Sequence, residues 1–272
     1  MRRPAGVPLI VGIAVLWFTL LVPVSAAAAP QRLTDAAVTE GAAALFTVGT
    51  AVRSIRPTGP ALRTHVGGFG DCLDCPASGG TTKVRGGDDL DVRVLYVSNG
   101  GRAVVRAVIP VEGMFAGYQE GPRLGLTDLR AEAATHLSRT NLPVTQADLI
   151  INTNHCHACP TLIGVWGPNN PDYLRYVYDQ VLAAILDAQR TAVPATLRYA
   201  TADFGYANDV TVGQANANEG WPIDGQLSVL QATNARTRRV LATYAEVPVH
   251  GNIAFGPDLN EMNSEHFGAA AR

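Results

Sequence analysis

The sequence predicts an α/β fold, a mixed sheet with a parallel βαβ crossover and flanking helices in a single domain. Three observations predict it. Short runs rich in Val, Ile, Leu and Ala recur at residues 45–52, 90–97, 103–109 and 148–152, with the length and alternation of strands. The last two are separated by a segment of helical periodicity, the kind of connection that closes a parallel pair. A second amphipathic segment, opening at Pro171, offers one apolar face to cover a sheet.

The chain has 272 residues, of which 47% are apolar, ample for a real core. Its 21 basic residues nearly balance 23 acidic ones, so no basic field points to nucleic acid and no acidic tail to a solvating segment. The ends of the balance are unremarkable; the N-terminus is not. Arg2 and Arg3 precede an apolar run from Val7 to Val24, and Ser25 to Ala29 offer small-x-small cleavage sites before Pro30. Residues 1–29 therefore read as a signal peptide, and the mature chain is expected to be secreted or extracytoplasmic. An uncleaved N-terminal anchor is the alternative, since the run approaches the length that spans a bilayer. Residues 30–44 read as a loose leader, and residues 45–272 as the folded domain.

Within that domain, residues 45–52 read as a first strand that breaks at Pro57 into a Gly-, Pro- and Thr-rich loop. Residues 90–97 place Leu90, Val92, Val94 and Tyr96 on one face, as in a half-buried strand. Asn99-Gly100 is a hairpin turn, and residues 103–109 form a return strand apolar enough to be central. A helix follows with Thr127 as expected N-cap, Asp128 at its positive end, and Leu129, Ala133 and Leu137 at helical spacing. The strand at 148–152 completes the crossover. The next helix starts at Pro171 and aligns Leu174, Val177, Tyr178, Val181, Leu182 and Ile185. Strands are expected at 196–202, 227–232 and 240–245, the last two as a hairpin through residues 234–237. The polar, Asn- and Gly-rich loop at 208–221 is of a kind that shapes sites.

The chemistry concentrates in Thr153-Asn154-His155-Cys156-His157-Ala158-Cys159-Pro160. Two histidines one residue apart, on an extended segment leaving a strand, project from the same side of the backbone. Neutral imidazole is the commonest protein ligand of zinc. His250 also follows a strand directly, and the ends of strands in parallel sheets are where sites assemble. Two strand ends that each deliver imidazole meet what a hydrolytic zinc site needs, a few protein ligands and an open position. His136, His65 and His266 sit in helix and loop contexts that carry less weight. The four cysteines form two CxxC pairs, Cys72 with Cys75 and Cys156 with Cys159. In an exported chain they are disulfide candidates, each pair closing on itself or the two loops tied together, with a four-cysteine metal site as the competing reading.

The order of these segments resembles the N-terminal domain of the neutral/alkaline, non-lysosomal ceramidase family. Residues 48–57 resemble its opening strand, and Val66-Gly67-Gly68-Phe69-Gly70 its "GYG" loop. Residues 89–95 resemble its "D-L-ARAL" strand, and residues 108–113 the strand that ends in an acidic residue, Glu112 here. His155 to Pro160 resembles "HTHSGP", Pro248-Val249-His250-Gly251 resembles "AVHG", and residues 264–269 the "SxDxxG" helix start. The resemblance implies zinc-assisted hydrolysis of the amide of ceramide or a related lipid amide. It implies His155 and His250 as zinc ligands, and His157 as a catalytic neighbour that hydrogen-bonds substrate. A lipid substrate implies peripheral contact with a membrane surface. The family's other zinc ligands, a glutamate and a tyrosine, and its active-site serine lie further along the chain, so an incomplete domain is expected. Glu265, Glu246 or Asp258 could substitute for them, but the incomplete site is the favoured reading. Ala158-Cys159 replaces the family's Ser-Gly, and Glu112 and Glu265 stand where aspartates are usual. These departures support an alternative, a catalytically inactive exported scaffold or binding protein with the same fold, stabilised by disulfides.

Overall fold

The computed structural model describes residues 46–67, 81–85, 90–119, 124–138, 142–203, 224–251 and 261–271. Seven strands form one mixed sheet in the order β4-β3-β2-β1-β5-β6-β7. They are β1 (Phe46–Ser54), β2 (Asp91–Ser98), β3 (Ala103–Ile109), β4 (Leu149–Thr153), β5 (Val193–Asp203), β6 (Gln226–Asn234) and β7 (Val240–Glu246). The helices are α1 (Leu126–Leu137), α2 (Pro171–Arg190) and α3 (Glu265–Ala271). The expected α/β class is therefore what the chain adopts. Cys72, Cys75, Asp258, the two N-terminal segments and the loop at 208–221 fall outside the described residues.

Strand β2 buries every second residue, Val92, Val94 and Tyr96 among them, as its alternation requires. It turns through Asn99-Gly100, where Gly100 takes φ 86° and Asn99 Oδ1 accepts from the N–H of Gly101 and Arg102. Strand β3 then returns antiparallel, with Ser98 opposite Ala103. Helix α1 carries the chain back so that β4 pairs parallel to β3, Val105 opposite Leu149 and Ile109 opposite Thr153. The N-cap of α1 is Gly125, not Thr127 as expected. Asp128, at the third helical position, reaches back to accept from the Gly125 N–H at 3.1 Å, and this fixes the start two residues earlier.

Helix α2 begins as expected at Pro171, capped by Asn170, whose Oδ1 accepts from the N–H of Asp172. Its apolar face packs with α1 on one side of β1 to β4. Val177, Val181, Ile185, Leu129 and Ala133 meet Val92, Val94, Val105 and Ala107 there in the main core. Two contacts fasten α2 to β1: the Tyr173 hydroxyl donates to the Ile55 carbonyl at 2.9 Å, and Arg53 pairs with Asp187 at 2.6 Å.

The other half of the sheet is set by a short seam. Strands β1 and β5 pair at only three positions, Phe46 with Ala195, Thr47 with Pro194 and Val48 with Val193. Pro194 lacks an N–H and fits poorly in a long ladder. Strand β5 then leaves β1 and pairs with β6 through to Asp203. The sheet curls over at this seam, because the Arg106 guanidinium on β3 lies 4.6 Å from the Tyr244 ring centre on β7. A second, smaller core of Val48, Ala195 and Ala232, with Leu95, Val97 and Leu197 against it, fills the inside of the curl. Beside it opens a cleft of about 360 Å³ lined by Val104, Arg106, Tyr199, Leu230, Tyr244 and Glu246, among others.

Entry into β4 is braced by Asp148. Its carboxylate accepts from the Thr145 hydroxyl at 2.6 Å, the Thr145 N–H at 3.0 Å and Arg102 at 2.9 Å. The Thr145 hydroxyl, then the Thr145 N–H, then Arg102 push the Asp148 carboxyl down to about 2, from 3.8. The unfolded chain therefore takes up this proton first. The stability the carboxylate contributes is whole above 3.8 and disappears as pH falls towards 2. Asp148→Asn is expected to lower the urea midpoint at neutral pH and to flatten its fall across the acid range. Parallel curves for the two proteins would refute this role.

Candidate metal centre

The HxH segment follows the end of β4, but it is not extended as expected. His155 adopts φ 53°, and residues 157–158 form a turn. A left-handed backbone at a residue other than glycine costs roughly 1–2 kcal/mol, so a surrounding contact must hold it. That contact is the His155 Nδ1 hydrogen bond to the Glu112 carbonyl at 2.8 Å, made across 43 residues. A carbonyl can only accept, so the proton sits on Nδ1 and the Nε2 lone pair faces away, ready for a ligand.

His157 reaches the same point from the turn. Its Nε2 lies 3.3 Å from Nε2 of His155, and the rings stand nearly perpendicular at 83°. His250, four residues past β7, brings its own Nε2 to 3.0 Å from that of His157. The ring centres are 4.8, 4.7 and 5.3 Å apart, and a ligand atom from each histidine lies within 4.8 Å of the other two. Four ligand atoms set tetrahedrally about 2.0–2.1 Å from a zinc ion stand about 3.3 Å from one another. The two Nε2 spacings at His157, 3.3 and 3.0 Å, are close to that value. Among the described residues this is the one cluster of His, Cys, Asp and Glu able to hold a metal ion. His155 and His250 are exposed and His157 half-buried, so the cluster is open on one side.

The loop that carries the two rings is clamped from several directions. The His157 N–H donates to the Gly251 carbonyl at 2.7 Å, which ties the β4 loop to the segment after β7. The Gly67 N–H donates to the Cys159 carbonyl at 2.7 Å, and the Glu112 N–H to the Pro160 carbonyl at 3.0 Å. These approaches need glycine. A Cβ at Gly251 would stand 3.1 Å from the His155 carbonyl oxygen, and one at Gly67 only 2.8 Å from the His157 carbonyl oxygen. Glu265 is buried in left-handed backbone at φ 49°, and its Oε1 accepts from the Ala158 N–H at 3.0 Å.

Cys156 and Cys159 form a disulfide, with Cα atoms 5.2 Å apart. Of the pairings left open, this pair closes on itself. It excludes these two sulfurs from the four-cysteine metal site, because a disulfide sulfur has no thiolate to offer. Of the carboxylates named as alternative ligands, Glu265 clamps the loop instead and Glu246 lies in the cleft of the curled sheet. His136 is exposed on α1, His65 packs beside Gly167, and His266 lies tilted against Phe267 with ring centres 3.9 Å apart; none joins the cluster.

Sequence reasoning missed the supporting residues. Glu112 attracted notice only as a strand-ending acid, yet its backbone orients His155. Its side chain is buried, with Oε1 accepting from the Trp166 indole at 2.6 Å. Nothing in the local sequence announces Trp166. Glu265 was legible as a helix-start acid and a candidate ligand, not as the clamp on the Ala158 N–H.

No family model matches the sequence, and no curated protein matches it. Solved structures do. The chain is similar to the neutral ceramidase from Pseudomonas aeruginosa, with a TM-score of 0.59 and 16% identity, over 83% of this chain and 35% of that one. It is similar to a ceramidase complexed with C2, with a TM-score of 0.53 and 16% identity, over 76% of this chain and 31% of that one. The fold is thus that of part of a neutral ceramidase. The chain spans about a third of the length of these proteins.

Partial burial, then the neighbouring His157 and His155 rings, lower the pKa of His250 below its ordinary 6.5, against a smaller opposing effect of Glu265. The unfolded chain protonates this ring first, so the stability tied to the neutral ring is whole above 6.5 and lost as pH falls below it. In chelated, ion-free protein, His250→Asn is expected to reduce the loss of unfolding midpoint between about pH 7 and pH 5. A midpoint that falls equally in both proteins would contradict the assignment.

Proposed function

We propose that the chain is the metal-binding portion of an exported, zinc-dependent amide hydrolase of ceramidase type. One observation carries the proposal: imidazoles from two loops about a hundred residues apart turn their Nε2 atoms to one point on a ceramidase fold. Zinc suits the all-nitrogen donor set, and when bound it activates water near neutral pH and polarises an amide carbonyl. The chain's own residues do the rest. The Glu112 carbonyl keeps the proton of His155 on Nδ1, and the lowered pKa of His250 keeps that ring neutral and able to ligate.

In this reading His155 and His250 hold the ion, and His157 donates a hydrogen bond to the carbonyl oxygen of the substrate amide. The Nε2 spacings favour a second reading, in which His157 is a third ligand and a substrate or water fills the fourth position. The substrate class, a lipid amide such as ceramide, rests on the likeness in fold to neutral ceramidases. The Cys156–Cys159 disulfide and the signal-like residues 1–29 support export to an oxidising compartment. Among the described residues no helix is long and apolar enough to cross a membrane.

The test is metal analysis of the purified mature protein beside hydrolysis of a short-chain fluorescent ceramide. Wild type is expected to hold one zinc per chain, and His155→Ala or His250→Ala to weaken it by on the order of a hundredfold or more. His157→Ala separates the two readings. Retained zinc with lost hydrolysis fits the substrate-contacting role; lost zinc fits the third ligand. Wild type and His155→Ala with the same negligible zinc would leave only an exported scaffold.

A further inference from the structure

The disulfide of the HxHxxP segment lies in the main core, within the segment that carries His155 and His157. It closes a four-residue loop that contains His157, and His155 is the residue immediately before it. Both cysteines are fully buried, and both sulfurs sit beside the Asn263 carbonyl oxygen, at 3.5 and 3.3 Å. The loop therefore has a covalent closure on its inner side and two exposed or half-exposed imidazoles on its outer side.

The hydrogen bonds around the loop act largely on its backbone, at His157, Ala158, Cys159 and Pro160, and the Glu112 carbonyl holds the His155 ring at Nδ1. The separation between the His155 and His157 rings depends as well on the backbone torsions from 155 to 157, and those from Cys156 onward lie inside the loop that the disulfide closes. Those torsions pass through a left-handed residue and into a turn, a conformation an open chain would leave. An unconstrained loop of this length samples many pairs of ring positions, and each one lost on ligation costs conformational entropy. A bond from Cys156 to Cys159 restricts in advance the torsions from Cys156 onward, which carry His157.

We infer that Cys156 and Cys159 are positioning residues of the metal centre: their disulfide fixes the His155–His157 spacing and so sets metal affinity. The inference rests on the zinc reading proposed above. It separates this bond from an ordinary staple, because an ordinary staple would change unfolding alone and leave the affinity of the folded state as it was. It also explains why the cysteines occupy the two positions between and after the histidines: cross-linking there restrains ring geometry directly.

The experiment compares wild type with Cys156→Ser/Cys159→Ser and with Cys156→Ala/Cys159→Val, the latter refilling the buried volume without a buried hydroxyl. For each, circular dichroism reports folding, competition with a chelator dye gives the zinc Kd, and the visible spectrum of the cobalt(II) form reports ligand geometry. The expected result is a folded variant whose zinc Kd rises by about tenfold or more, with an altered cobalt spectrum. A folded variant with wild-type Kd and spectrum overturns the inference while leaving the zinc reading intact. Failure of both variants to fold overturns it too, since the bond would then be purely structural. Wild type that holds no zinc fails the zinc reading itself, a distinct outcome.

Discussion

The arrangement depends on three residue pairs. Where β1 meets β5 at Phe46, Thr47 and Val48, the sheet has just enough ladder to stay continuous and too little to stay flat. Beyond it, β5 to β7 turn back over the outer face of β2 and β3, with Arg106 against Tyr244. In a flat sheet of this strand order β4 and β7 would be opposite edges, six strand spacings of about 4.8 Å apart. Curling makes the loops that follow them neighbours. The small core of Val48, Ala195 and Ala232 holds that curl, so apolar packing well away from the histidines determines whether they meet.

The site is layered outward from this. Backbone groups of Gly251, Gly67, Glu112 and Pro160 bind the loop of His155 and His157, and the buried Glu265 carboxylate adds a charged acceptor for one N–H. Only then do side chains matter: one imidazole is locked by a carbonyl, one by a turn, and one by its place after β7. The aim of the His155 ring depends on main-chain geometry, through its left-handed backbone and the Glu112 carbonyl. Substitutions that alter the loop backbone would act on the cluster without touching a histidine.

Much of this was legible in the sequence. The alternation of β2, the Asn99-Gly100 hairpin, the crossover through α1 and the start of α2 at Pro171 all follow from local periodicity and capping. His155, His157 and His250 were legible because each follows an apolar strand. What escaped depended on partners far along the chain. The start of α1 moved to Gly125 because Asp128 reaches back to it; a glycine three residues before an aspartate was the available cue. The HxH pair converges through a left-handed residue and a turn, a conformation set by Glu112, which no reading of the eight-residue motif contains. The self-closure of Cys156 on Cys159 was one of several pairings the spacing allowed.

The left-handed His155 has a consequence for how such a centre would fill. Its ring is aimed by its own backbone and by a carbonyl, contacts that the chain itself supplies. A cation arriving from solvent would meet donors already oriented and would not have to fold the loop around itself. Capture would then resemble the seating of a part in a rigid socket, quick and nearly independent of chain ordering, and release would be governed by bond strength alone.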